Sequence, residues 1–195
     1  MTESITLAFA LREAFTLVSL AGTLNERFTV PSIVGDDPRL PFVIDTANIA
    51  RINSLGVRTW IQWLSLLAKD ARRVYFVRCS PPIVMQANYV ANFLGGGCVL
   101  SYYAPYWCEA CRTAERVLAR TTDRLDPLWS NRPTRPCPAC HAPLQLAEAE
   151  DECFNIARDQ DPVEPPVFAL ALEQALAELA TRPEGKGASG GSEQF

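Results

Sequence analysis

Phe42-Val43-Ile44-Asp45 and, after seven intervening residues, Asn53-Ser54-Leu55-Gly56-Val57-Arg58-Thr59-Trp60-Ile61-Gln62-Trp63-Leu64 decide the fold of this 195-residue chain. The first is an unbroken apolar run closing on an acid, the pattern of a central strand in a sheet with helices packed on it. The second opens a helix that runs from Ser54 to Ala71. At 100° per residue, Val57, Trp60, Ile61, Leu64, Leu67 and Ala68 share one arc, the stripe of a helix lying on a sheet. Trp63 falls at the edge of that arc and Leu66 nearly opposite it, which reserves both as apolar groups for a partner.

Upstream, Ile5 to Leu11 and Phe15 to Leu20 read as a hairpin around Arg12-Glu13, closed by a break at Ala21-Gly22. Leu24 to Val30 fits a short helix, and the proline-rich Pro31 to Pro41 is a loop. Downstream, Val74-Tyr75-Phe76-Val77 is a strand, and Pro81-Pro82 opens a helix to about Leu94 that Gly95-Gly96-Gly97 stops. Cys98 to Tyr103 is a further strand. The fold class is therefore α/β: a mixed sheet with helices over residues 1–104, its later strands joined by helical crossovers. A small module follows at 105–148, an acidic linker at 149–164, an Ala/Leu-rich helix at 165–181 and a disordered, Gly/Ser-rich tail at 182–195. In that last helix Phe168, Leu172, Leu176 and Leu179 form a stripe, so the helix should dock rather than float free.

Composition supports a globular chain, with 48% apolar and 21% charged residues. A formal charge of −4 does not draw the protein toward nucleic acid or an anionic membrane. No apolar run is long enough to cross a bilayer and no basic stretch opens the sequence, so a cytoplasmic protein without membrane insertion is expected. Seven cysteines, an odd number in a reducing compartment, argue against a disulfide framework.

Cys108-Glu109-Ala110-Cys111 and Cys137-Pro138-Ala139-Cys140 lie 25 residues apart. Two such knuckles supply four soft thiolates, suited to one tetrahedral Zn(II) per chain, with iron as the weaker alternative. Four thiolates leave no open position for water, so the metal is expected to be structural. Cys137 to His141 also has the letters of covalent haem attachment. The missing export signal, the second knuckle and Met85 as sole internal methionine stand against that. A redox dithiol needs one pair in a thioredoxin-like setting, which neither knuckle has. His141 reads as a surface residue beside the ligands, Cys79 and Cys98 as small buried hydrophobes, and Cys153 has no assignment. Six arginines and five carboxylates over residues 104–148, with the −2 of a zinc tetrathiolate, leave about −1, so the module lacks the basic surplus of a phosphate binder. The aromatic run from Tyr102 to Trp107 reads as packing at a junction rather than base stacking.

Strand, Asp45, then Ile52-Asn53-Ser54-Leu55-Gly56-Val57 opening a helix resembles the STAS domain (sulfate transporter and anti-sigma factor antagonist). Its usual form is an aliphatic strand, Asp, a short loop and Asp-Ser-Ser/Thr-Gly-Leu. The element order over residues 4–104 resembles it too, including the Gly22 break and the polar Asn25-Glu26-Arg27 after it. The resemblance implies that Ser54 is a phosphoacceptor, flanked by Asn53 where those proteins carry aspartate and by Leu55 where they carry a second hydroxyl. It implies a non-enzymatic, partner-switching regulator whose partner is an anti-sigma factor with serine-kinase activity. Chemically, Ser54 also suits the role of N-cap. The alternatives are a constitutive STAS scaffold, as in the accessory subunits of lipid-transport ATPases, and a small redox protein using the cysteine pairs. No phosphate-binding glycine loop and no nucleophile–histidine pair points to an enzyme.

Overall fold

The structure, a computed structural model, describes residues 5–30, 37–69, 72–122, 135–149, 153, 155–156 and 166–181. The expected tail and nearly all of the expected acidic linker lie outside them. The chain is mixed α/β. Strands β1 (Thr6–Leu11), β2 (Thr16–Leu24), β3 (Phe42–Ile52), β4 (Val74–Val77) and β5 (Cys98–Val99) lie side by side in chain order. The β1/β2 pair is antiparallel and every later pair parallel. Helix α1 (Ser54–Lys69) joins β3 to β4, and α2 (Pro81–Tyr89) joins β4 to β5.

Alternation along each strand divides this sheet's side chains between two cores, because successive residues of a strand point to opposite faces. Val18, Phe42, Ile44 and Phe76 pack with α1 and α2. Their neighbours Leu17, Val43 and Val77 face the other way and meet a third helix, α3 (Ala169–Thr181), through Leu172, Ala175 and the preceding Phe168. The stripe read from the sequence thus lies on the sheet. Two exposed ion pairs, Arg12–Glu178 and Arg120–Glu173, flank it.

Trp63 is not a spare group. It is buried, edge-on to Phe28, Phe42 and Trp60, because Phe28 from the β2–β3 connection closes over that side of α1 and widens the arc it buries. Leu66 is exposed, as expected. Trp60 stacks on Phe93 and donates its indole N–H to the Phe93 carbonyl at 2.9 Å, so its polar edge is satisfied inside the core.

Several boundaries differ from expectation. No helix forms at 24–30 among the described residues; Asn25 is instead a buried turn residue whose Oδ1 accepts from Arg27 N–H. Gly22 does not end β2. It sits at a register shift against β3 with φ 103°, a conformation glycine adopts without strain, and pairing resumes to Leu24. β3 likewise runs past Asp45 to Ile52, where a short loop was expected. Asp45 is shut from water within that strand. Its carboxylate accepts from Arg78 Nε at 3.0 Å and Arg78 Nη2 at 2.6 Å, from Ser19 Oγ at 2.7 Å and from Ala47 N–H at 3.2 Å.

A second, antiparallel sheet has the order β7-β6-β8, from β6 (Ser101–Cys108), β7 (Thr113–Arg120) and β8 (Gln145–Leu146). β6 passes straight through residue 104, where the sequence placed a domain boundary. Its start is fastened to the first sheet by Cys79 N–H to Ser101 O at 3.0 Å and Tyr103 N–H to Cys79 O at 2.8 Å. Tyr102 and Ala119 join the α1/α2-side core. The burial of Cys79 there pushes its thiol pKa up to about 12, so it is an inert core residue.

Candidate metal centre and the start of helix α1

At its far end the β6/β7 hairpin narrows to Cys108, the last residue of β6, and Cys111 in the turn. Both cysteine pairs adopt one local shape. Arg112 N–H donates to Cys108 O at 2.8 Å, and His141 N–H donates to Cys137 O at 2.9 Å. The residue after each second cysteine is left-handed, Arg112 at φ 55° and His141 at φ 61°. Each pair is thus a tight knuckle that turns both thiols inward. Ala142 O accepts from Cys137 N–H at 2.8 Å, and Arg135 O accepts from Leu144 N–H at 2.8 Å, which folds the second knuckle against its own flanks.

The four sulfurs of Cys108, Cys111, Cys137 and Cys140 all lie within 4.8 Å of one another. Cys108–Cys140 and Cys111–Cys137 are 3.5 Å apart and Cys111–Cys140 3.7 Å. Thiolates about 2.3 Å from a common tetrahedral centre stand about 3.8 Å apart, while a disulfide is about 2.05 Å. The spacing therefore fits four ligands around one ion, and all four cysteines are free. Cys111 Sγ also lies 3.1 Å from Thr113 Oγ1. The imidazole of His141 is exposed and is not part of the cluster.

Crowded thiols cannot all ionise alone, and their protons divide unequally. Backbone N–H groups of Cys140 and Ala139 hold Cys137 down at about 6. For Cys140 the Ala142 N–H pulls the same way, but hydrogen bonding among the neighbouring thiols, with some loss of solvent, leaves it at about 12. A cation among the sulfurs removes that conflict. Cys153, unassigned from sequence, is buried and donates its N–H to Ala149 O at 3.1 Å, away from the cluster.

The second predicted site is the start of α1. Here the structure corrects the role of Ser54. The N-cap is Asn53, whose carbonyl accepts from Val57 N–H at 2.9 Å and whose Oδ1 accepts from Gly56 N–H at 2.8 Å. Ser54 is one position inside the helix, exposed, and its hydroxyl makes no hydrogen bond among the described residues. An amide fills the cap position because it can also donate, and Asn53 Nδ2 does so to Glu26 Oε2 at 3.1 Å. Glu26 is held below its ordinary pKa by a backbone N–H and by this contact. Gly56 is explained by space. A Cβ there would stand 2.2 Å from Leu24 O, so only glycine lets the helix end press against the β2 exit, where Leu24 O accepts from Asn53 N–H at 3.0 Å.

Asn53 and Gly56 thus meet the Leu24–Glu26 stretch, with the exposed Ser54 between them, far along the chain from the thiol cluster. The sequence did not reveal the Asp45–Arg78 pair, although the isolated acid inside an apolar run was its one visible signal. No helix of the described residues is long and apolar enough to cross a membrane. The chain matches no protein-family model, no curated protein and no solved structure.

Proposed function

We propose that the chain is a non-enzymatic regulatory protein, a STAS-like domain that docks a protein partner over the start of α1, with Ser54 as phosphoacceptor and a structural zinc ribbon beside it. The observation that carries this is the idle Ser54 hydroxyl: Asn53 does the capping, so nothing among the described residues uses the serine. A phosphate on it would sit at a helix N-terminus, where the dipole favours negative charge. Leu55, 50% exposed, and the exposed Arg58 one turn on offer a partner an apolar anchor and a cation. A partner seated there would have to bury nearly two added charges, so phosphorylation would eject it without unfolding the domain. The antiparallel first pair followed by strand–helix–strand supports the STAS likeness. The sulfur spacing supports Zn(II), whose thiolate sites are closed and tetrahedral.

A constitutive scaffold is the second reading, and Glu26 favours it. Its carboxylate is hydrogen-bonded to the residue before Ser54 and would repel a phosphate. Pull-downs from native extract with wild type, Ser54→Ala and Ser54→Asp separate the two. The switch requires Ser54→Asp to fold and lose a serine-kinase-type partner that Ser54→Ala keeps. A partner retained by all three, with no phosphoserine in native protein, establishes the scaffold.

A further inference from the structure

Sheet edges invite pairing with other chains, and folded proteins blunt them by shortness, charge, proline or cover. Three edges here follow that rule. β5 and β8 are two residues long each, and β7 carries Glu115, Arg116 and Arg120. Among the described strands β1 does not: Thr6-Leu7-Ala8-Phe9-Ala10-Leu11 is six residues with no charge, no proline and no bulge against β2, and no described strand pairs with its outer edge.

Hydrogen-bond parity shows which of its groups face outward. Arg12 N–H donates to Phe15 O at 3.0 Å, and the antiparallel register pairs Leu11 with Thr16. Bonded and non-bonded pairs alternate, so Ala10, Ala8 and Thr6 exchange their backbone bonds with β2. Leu7, Phe9 and Leu11 turn theirs away from it. Their side chains share one face. Leu7 and Phe9 lie half-buried against the α1/α2-side core, and Leu11 is 43% exposed.

We infer that two copies of this chain join through β1, antiparallel about a two-fold axis at Phe9. That register is self-complementary. Phe9 meets Phe9 of the second copy and Leu7 meets its Leu11, and every such pair consists of the outward-bonding residues, so each exchanges both backbone bonds. The same pairing sets apolar side chains opposite each other on one face. Arg12 falls opposite Thr6 and Glu13 opposite Ile5 of the second copy, so no like charges meet. A one-residue slip would bring outward groups against inward ones, which excludes the odd registers. At each end a long contact from Arg12 Nη1 to Leu11 O, 3.4 Å, yields to the new strand. Because both copies use the same edge, the contact closes at a dimer.

Sedimentation of the full chain over a hundredfold concentration range, with amide exchange read by NMR at both extremes, tests this. The expected result is a monomer–dimer equilibrium in which the amides of Leu7, Phe9 and Leu11 gain protection with concentration while those of Ala8 and Ala10 are protected throughout. Leu11→Lys, a change at an exposed site, should weaken the dimer at least tenfold while the melting temperature of the dilute monomer stays unchanged. A monomer at every concentration, or a dimer whose new protection falls elsewhere, overturns the inference.

Discussion

The two ends of β6 are held by different means. At Tyr102 the strand enters a core of aromatic and aliphatic side chains from α1, α2 and the first sheet. At Cys108, six residues on, the buried neighbours are Cys137 and Leu144, with Tyr106, Cys111, Val117 and Ala142 partly buried around them. The first end can be stabilised by removing apolar surface from water, at roughly 25 cal/mol per Å². The second has too few carbon atoms for that to offset the ordering of two knuckles, each with a left-handed residue that is not glycine. Its sulfur positions make sense as a cage organised by an ion.

The largest expected effect comes from removing the proposed zinc. Structural zinc in small thiolate sites is worth about 10–16 kcal/mol of apparent binding free energy near neutral pH. Cys137→Ser, or a strong chelator, should take the zinc content from one per chain to near zero. Amide protection should collapse in 105–117 and 135–146 while the amides of β3 and β4 keep theirs. Loss of protection throughout would mean that the first sheet leans on the metal, and intact protection at the tip would mean that its carbon core suffices.

On the other side, Trp63→Ala should cost about 3–5 kcal/mol by chemical denaturation, the scale for deleting a buried indole. A cost under 1 kcal/mol would restore Trp63 to the partner-facing role its place in the helical arc suggested. Close behind, Arg78→Met should cost about 3–5 kcal/mol, because it strands the Asp45 carboxylate, 0% exposed, with a serine hydroxyl and one backbone N–H. The matched pair Asp45→Leu with Arg78→Met should recover much of that loss. If it does not, the pair's value lies in positioning β4 against β3 rather than in charge neutralisation.

Period-two alternation and the α1 stripe are local, so the first four strands and the docking of α3 were legible from Val18, Phe42, Ile44, Leu172 and their spacing, whereas the single strand expected at 98–103 divides between β5 and β6. The thiol cluster was legible because Cys-x-x-Cys leaves few geometries. The β6/β7 hairpin was not: its burial pattern from Thr113 to Arg120 is mostly exposed and interrupted by charge, so no periodicity betrays it. Trp63 was misplaced because Phe28, more than thirty residues earlier, decides its surroundings. Asp45 looked like a strand end because an ion pair with Arg78 is invisible until β3 and β4 lie side by side.

The smallest expected effect separates two adjacent side chains at the start of α1. Asn53→Ala removes the Oδ1 acceptor from Gly56 N–H and the donor to Glu26, and should cost about 1 kcal/mol, as for loss of an ordinary N-cap. Ser54→Ala removes a hydroxyl that no described neighbour uses and introduces the best helix former, so stability should stay within a few tenths of a kcal/mol of wild type. Both are measurable by urea unfolding at constant m-value. If the order reverses, Ser54 is the cap in solution and its hydroxyl is engaged, which removes the main support for the phosphoacceptor role. If the order holds, any effect of Ser54→Asp on partner binding is due to charge at an exposed surface and not to a weakened helix. An aspartate there meets the favourable end of the helix dipole, worth about 0.3–1 kcal/mol, which offsets the repulsion from the exposed Glu26, so its fold should stay close to wild type in stability.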